Sequence, residues 1–426
     1  MREEFLHYAW QHQLFNKEAL VTTQGQEVSI FSPGLHNHHS GPDFSMAKIK
    51  IDQLEWHGNV EIHYRSSDWK NHQHHTDATY DNVILHVVWK DDAPIKNLQQ
   101  GYVPTIVLNN RIDPLLIAKF DGLLKNKNKI PCENTFPEVD GLVKLAMLDR
   151  VMAERLEQKS DEVLQLLVRN NHDWEETTYQ LLAKNFGFKV NSQAMLTLSE
   201  KLSLKILAKQ TGKAFELEAL LLGHAGLLDD YFEEEYPLAL KKEHQYLAKK
   251  YDLLPSKMTG NEWKFSKMRP PNFPTIRLAE LASLLAQRQH LFSKILEADS
   301  FTELTKIFKV NLSGYWDNHY VFDKISATKS KSIGKSSIEN LILNTVVPLL
   351  VCYSKEKNQQ EYMDRAIQFL ETIVAEQNNI TIYWKSIGQP VNTAFDSQAL
   401  IGLHNEYCKR KACLQCTIGN SILSKP

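Results

Sequence analysis

Residues 41–64, GPDFSMAKIKIDQLEWHGNVEIHY, decide how the first part of this chain folds. Residues 44–51 alternate apolar with polar, the period of a half-buried strand. Asp52-Gln53-Leu54 reads as a tight connection, and residues 55–64 as a strand running back. In such a hairpin, residues equidistant from the turn face each other, so Asp43 is expected near Glu61 or His63. Glu61 and His63 are two apart and share one face, while Ile62 points the other way into a core.

Working outward, residues 2–15 place Phe5, Tyr8, Ala9, His12 and Phe15 at helical spacing, with acids in the first turn where they suit the helix dipole. Residues 27–31 read as a strand, and residues 32–41 as a loop holding His36, His38 and His39. Beyond the hairpin come a turn at 65–68 and a short His-rich, partly helical stretch over 69–80. Residues 83–89, VILHVVW, form a near-continuous apolar run, the signature of a buried central strand. Residues 104–108 read as a further strand, at an edge because proline begins it. The order is helix, three strands, helix, strand. It predicts a small α/β domain over residues 1–125. From about residue 140 the chain reads as helix after helix, which predicts an α-helical domain over 126–400 and a short Cys-rich segment over 401–426.

The chain has 426 residues, 42% hydrophobic and 23% charged, ordinary for a globular protein of two or three domains. A net charge of −2 argues against a broadly basic nucleic-acid binder, though not against local basic patches. The N-terminal residues are acidic and amphipathic, unlike a signal peptide, and no stretch reaches about 18 uninterrupted apolar residues. No membrane span is expected, and a cytoplasmic location is.

The chemistry concentrates on Asp43, Glu61 and His63. Two carboxylates and an imidazole on one surface suit a divalent cation: the oxygens favour Mg²⁺ or Mn²⁺, and the imidazole biases toward Mn²⁺ or another transition metal. Such an ion can generate hydroxide and stabilise charge on a phosphate. The plainer alternative is a solvated strand face, with Asp43 capping a turn. His39, Ser66, Asp68, His72 and His86 are the further polar residues expected to line the pocket. His72 and His75 are three apart and would share a face if residues 72–75 were helical. The aromatic and charged mixtures at 267–277 and 315–320 read as structural anchoring, with base stacking as the alternative.

A second candidate lies in residues 404–416, HNEYCKRKACLQC. His404, Cys408, Cys413 and Cys416 have the spacing H-x3-C-x4-C-x2-C, in which the C-x2-C pair lets two thiolates reach one tetrahedral Zn²⁺. Cys132 is an alternative fourth ligand, and unligated buried thiols are a third reading.

The motif Pro42-Asp43 followed by Glu61-Ile62-His63 resembles the nuclease superfamily defined by P-D and (D/E)-x-K. The resemblance implies a restriction-endonuclease-like fold, metal held by Asp43 and Glu61, and hydrolysis of phosphodiester bonds in DNA or RNA. His63 stands where that motif has lysine, and a neutral imidazole cannot supply a fixed positive charge. This leaves open a non-catalytic nucleic-acid-binding or scaffold protein, or a metal-dependent hydrolase of another substrate. A glutamate on the first helix often completes the metal shell in that superfamily. Glu4 is the best match, with Glu3 second. Cys132 with the C-terminal trio resembles the iron–sulfur clasp of some of its members. Over the whole chain, the blocks GPDF, GNVEIHYRSSDWKNHQHHTDATYDNVILHVVW, IPC, ALLLGHAG, RPPNFPTIRLAELA and C-x2-C-x-IG resemble a bacterial family of unknown function.

Overall fold

The computed structural model describes residues 2–37, 39–97 and 101–424. The chain divides into two compact units, one of residues 1–147 with 403–426, the other of residues 148–402. The division falls at Met147, within a helix that spans Gly141–Arg169, and not at residue 125 as expected. The Cys-rich segment is not separate: it belongs to the first unit. Local pattern could not show either feature, because both depend on contacts between residues far apart in sequence.

The first unit is built on a mixed six-stranded sheet. Its elements are α1 (Glu3–Gln11), β1 (Val28–Ser32), β2 (Leu35–His36), β3 (Phe44–Ile51), β4 (Leu54–Arg65), α2 (Asp68–Asn71), β5 (Val83–Lys90), β6 (Thr105–Val107) and α3 (Pro114–Lys125). Strand order is β1-β3-β4-β5-β6, with β2 also on β3. The β1–β3 and β3–β4 pairs are antiparallel; β4–β5 and β5–β6 are parallel.

The mixed α/β expectation holds at the level of a mixed sheet followed by a mostly helical region. Three details differ. The second helix shrinks to the four residues of α2 followed by two 3₁₀ turns. Gln73, with φ of 64°, turns the chain out of helical geometry there. A short strand, β2, crosses the His-rich loop. Helix α3 is an element the opening pattern did not separate. It is capped by Asp113, whose carboxylate accepts the Leu115 N–H at 2.8 Å, with proline at its first turn.

The hairpin turn forms as read. Asp52 takes a left-handed φ of 51°, and its carboxylate accepts the Glu27 N–H at 3.0 Å, tying the turn to the start of β1. A bulge then interrupts the β3–β4 ladder between Phe44 and Ala47, where Met46 has φ of 60°. Ala47 pairs with Gly58, but Phe44 pairs with Val60. The extra residue slips the register by one, which flips every side chain beyond it to the opposite face. Asp43 therefore falls opposite Glu61 and not opposite Ile62.

One face of the sheet carries the larger core. Phe5, Leu6, Ala9 and Trp10 of α1 pack with Phe44, Ile62, Leu85 and Val87 of the sheet, with Phe120 of α3 and with Leu423 near the C-terminus. Phe5 and Phe120 stack at 4.8 Å. A smaller apolar cluster contains Trp69, Tyr80, Val83, Ile95 and Val103. A second irregularity, in the β4–β5 register next to Val83, places Val83 in this cluster while Ile84 and Leu85 join the larger one.

The second unit is helical. Its sequence motifs serve structure, as expected. The Trp316 indole donates to the Glu218 carboxylate at 2.7 Å, and burial pushes that carboxyl up to about 7. Arg277 pairs with Glu280 at 2.6 Å where both are buried. Among the described residues, one helical run, Lys335–Lys357, is long and apolar enough to cross a membrane. However, 61% of its most apolar window is buried within the protein, which is the burial of a core helix.

Candidate metal centre on the central strand

The central strand β4 carries Glu61 and His63 on the same face, and its parallel neighbour β5 brings His86 beside Glu61. All three are buried, with exposures of 4%, 1% and 0%. This is unusual for charged or titratable groups unless they are paired or bind a metal.

Asp43 and Glu61 lock each other in place. The Asp43 N–H donates to Glu61 Oε2 at 3.0 Å, and the Ile62 N–H donates to Asp43 Oδ2 at 2.9 Å. Glu61 Oε1 is left facing imidazoles: His74 Nε2 lies 3.2 Å away and His63 Nε2 3.6 Å. The His74 contact is close, yet its alignment makes no hydrogen bond, so Nε2 of His74 is a buried nitrogen without a hydrogen-bond partner. Nε2 of His63 lies 3.1 Å from Nδ1 of His72. His63, His72 and His74 each bring one ring nitrogen within 4.8 Å of the others.

Nδ1 of His63 lies 2.8 Å from Nε2 of His86. If Nδ1 of His63 carries the hydrogen and donates to His86, then Nε2 of His63 presents a lone pair beside Glu61 Oε1. This is how a ligating histidine is oriented by a partner behind it. Trp69 packs edge-on to the rings of both His74 and His86 at 5.4 Å, and Tyr80 stacks on His74 at 3.8 Å, fixing the imidazoles from the apolar side. The buried, unbonded nitrogen, the oriented lone pairs and the adjacent carboxylate oxygen all fit a bound cation.

Electrostatics keep these lone pairs available. Burial, then the nearness of His74, His72 and His7, pushes His63 down to about 3, and burial holds His86 well below its usual value. Burial raises the Glu61 carboxyl. Helix α1 brings two more groups. His7 Nε2 lies 3.3 Å from Asp43 Oδ2; burial opposes its protonation, but the Asp43 contact prevails and raises its pKa. Glu3, raised by burial, bonds the Tyr64 backbone beside the cluster.

The expected residues thus sort into three groups. Asp43, Glu61, His63, His72 and His86 come together. Glu4 does not: it is exposed, and Glu3 lies near the cluster, because one position along α1 turns the side chain by about 100°. Ser66 and Asp68 do not line the cluster either. Ser66 Oγ bonds Asp92 at 3.1 Å and accepts the Asp92 and Ala93 N–H groups, while Asp68 accepts the Arg65 N–H at 3.0 Å. Both secure local turns. His39 is exposed, and His36 instead lies near His7, with ring centroids 5.4 Å apart; His38 is outside the described residues. Sequence reasoning missed His7 and Tyr80, and it placed His74 only within the His-rich stretch 72–75 and not as a partner of His63. The i, i+3 pairing of His72 with His75 assumed a helix that Gln73 ends, so His72 and His74 converge instead. His7 was legible only as one face of α1.

These shifts predict acid lability. An unfolded chain protonates His63 and His86 near pH 6.5, whereas the folded protein resists protonation down to about pH 3 at His63. The contribution of these two imidazoles is therefore full above about pH 6.5 and falls as pH drops below it, while His7, with its raised pKa, contributes in the opposite sense. The expected loss is about 1–3 kcal/mol between pH 6.5 and 5. Glu61, with its raised pKa, has the opposite sign above about pH 4.5 and makes the slope shallower. Thermal melts of metal-free protein across that range test this; a flat profile would show that the imidazoles protonate freely.

Fold and cluster together define a protein with a mixed α/β unit that carries a buried imidazole–carboxylate centre, joined to a helical unit. The chain belongs to the family described as Protein of unknown function (DUF2851), whose model matches residues 3–379, a span that contains the whole cluster. No curated protein and no solved structure matches it.

Proposed function

We propose that this protein is a metal-dependent hydrolase of phosphodiester bonds, with DNA or RNA as the substrate class and a bacterial cytoplasm as its location. The observation that carries the reading is the convergence of Glu61 Oε1 with ring nitrogens of His63, His72 and His74 beside Asp43. Three imidazoles and one carboxylate suit Mn²⁺, Zn²⁺ or a related transition metal better than Mg²⁺, which prefers oxygen and water. A cation held there supplies a polarised water and charge stabilisation for a phosphate.

The chain's own groups supply the rest. Asp43 Oδ2, 3.3 Å from His7 Nε2, favours protonation of that imidazole, which can then serve as a proton donor. When protonated, His7 offers a positive charge of the kind that lysine gives in the P-D and (D/E)-x-K nucleases. The helix, the antiparallel strands and the parallel strand that follows support a restriction-endonuclease-like core. The reduced second helix and His63 in the lysine position depart from it. A structural metal with no catalysis is the second reading, favoured by the burial of Glu61, His63 and His74; His72 and Asp43 are the more open members.

The test uses the full chain stripped of metal, then supplied with Mn²⁺, Zn²⁺ or Mg²⁺, against bis-p-nitrophenyl phosphate, single- and double-stranded DNA, and RNA. Cleavage restored by Mn²⁺ or Zn²⁺ supports the hydrolase. Stoichiometric metal without cleavage selects the structural role. Neither metal nor cleavage removes both.

A further inference from the structure

Within the second unit, three helical segments enclose a small polar pocket of about 100 Å³. Lys159 and Glu162 reach it from the helix Gly141–Arg169, and Lys184 and Asn185 from the helix Trp174–Phe186. Asn344 and Pro348 come from the helical run Lys335–Lys357. Proline shapes that third wall. Pro348 has no N–H, so the Asn344 carbonyl lacks its α-helical donor, and the run widens there into a π-helical turn over Ile342–Val346. The Asn344 carbonyl accepts the Asn185 side-chain amide at 2.9 Å. The same amide reaches Thr345 Oγ1 at 2.9 Å and the Leu181 carbonyl at 3.0 Å. The Asn344 side-chain amide donates to the Asn340 carbonyl at 3.0 Å, which leaves Asn344 Oδ1 to face Lys159 Nζ, 2.5 Å away.

Charge in this pocket is unbalanced. Lys184 is paired, with its Nζ 3.1 Å from Glu162 Oε2. Lys159 carries three N–H donors but has one hydrogen-bond acceptor among the described residues, the neutral Asn344 amide. A sheltered ammonium without a counter-charge is costly. Burial, then Arg155 nearby, pushes Lys159 down to about 8; Lys184 adds to the shift, and Glu162 and Glu376 offset only part of it. An anion in the pocket supplies the missing charge and takes the two spare donors. We propose that this pocket binds a tetrahedral oxyanion, either free phosphate or the phosphate group of a small ester, with Lys159 as its principal contact and Lys184 beside it. By liquid volume the space holds about three waters, enough for one such group. Two ammonium groups from different helices call for oxygens on several sides of the guest. A tetrahedral oxyanion has them and a planar carboxylate does not. Lysine suits the role because its ammonium is a compact charge with rotatable donors. The proposal depends neither on the histidine cluster nor on hydrolysis.

The test uses the full chain stripped of metal, so that no ion at the histidine cluster can hold the same anion. Calorimetric titrations with inorganic phosphate, glycerol phosphate and acetate are run at constant ionic strength. Phosphate or the ester should bind once per chain and at least tenfold more tightly than acetate. The tighter of the two tells whether the guest is the free ion or an esterified group. Lys159→Met should lower that affinity at least tenfold, while Lys205→Met, at an exposed lysine elsewhere in the unit, leaves it unchanged. Affinity for sulfate, whose charge is fixed, should fall as pH rises through about 8, where Lys159 loses its proton. Should Lys159→Met fail to fold, reductive methylation of the parent protein decides. Mass spectrometry should find Lys159 protected at least fivefold by phosphate but not by chloride at equal ionic strength. Anion binding that survives Lys159→Met, acetate bound as tightly as phosphate, or Lys159 methylated at one rate with and without phosphate overturns the proposal.

Discussion

Glu61→Gln is expected to lower metal affinity by about 100-fold or more, and hydrolysis with it, while leaving the fold intact. The substitution keeps the side-chain shape and an oxygen to accept the Asp43 N–H, now made at 3.0 Å to Oε2. It removes the negative charge that faces His74 and His63 at 3.2 and 3.6 Å. A neutral amide is a weak ligand and does not balance a divalent charge in a buried pocket. Because Glu61 carries a raised pKa, the glutamine protein should be no less stable than the metal-free parent. Calorimetric titration with Mn²⁺ and Zn²⁺, beside chemical denaturation, separates the two effects. Affinity unchanged within threefold would show that Glu61 is only a strut for Asp43.

Trp69→Ala is expected to cost roughly 3–5 kcal/mol, a large part of the stability of a unit this size. Trp69 is fully buried, and its indole N–H donates to the Lys96 carbonyl at 3.0 Å. It packs edge-on to His74, His86 and Tyr80, so removing it leaves a cavity behind the imidazoles and an unpaired carbonyl. Metal affinity should fall as well, because rings no longer held in one orientation must be ordered on binding. Trp69→Phe, which keeps the ring contacts and loses the hydrogen bond, should cost only about 1–2 kcal/mol. Urea unfolding followed by circular dichroism measures both; a loss below about 1 kcal/mol for the alanine would mean that the surrounding side chains collapse to fill the space.

Much of the first unit was legible in local pattern. The alternation in β3, the continuous apolar run of β5 and the amphipathic start of α1 each report burial on one or both faces. Period alone carries that information. The pairing of Asp43 with Glu61 was legible only as one of two possibilities, since ideal hairpin counting from the turn at Asp52-Gln53 leads to Ile62. The bulge at Met46 has no strong local signature: methionine is a poor candidate for φ of 60°, and the slip is stabilised by where Phe44 and Val60 are buried. The direction of His74 was not legible for a related reason. Its direction depends on Gln73 leaving helical geometry, which the packing of His74 between Trp69 and Tyr80 enforces.

By itself, the sequence determined five of the sheet's six strands, the shared face of Glu61 and His63, and the supply of histidines and cysteines, because side-chain alternation and composition are local properties. Only the tertiary structure decided which of those residues meet. It set Asp43 opposite Glu61 through one extra residue in a strand and chose Glu3 and His7 over Glu4. Those outcomes rest on burial of large apolar groups such as Phe5, Trp69 and Phe120, whose free energy outweighs the preferences of any single turn.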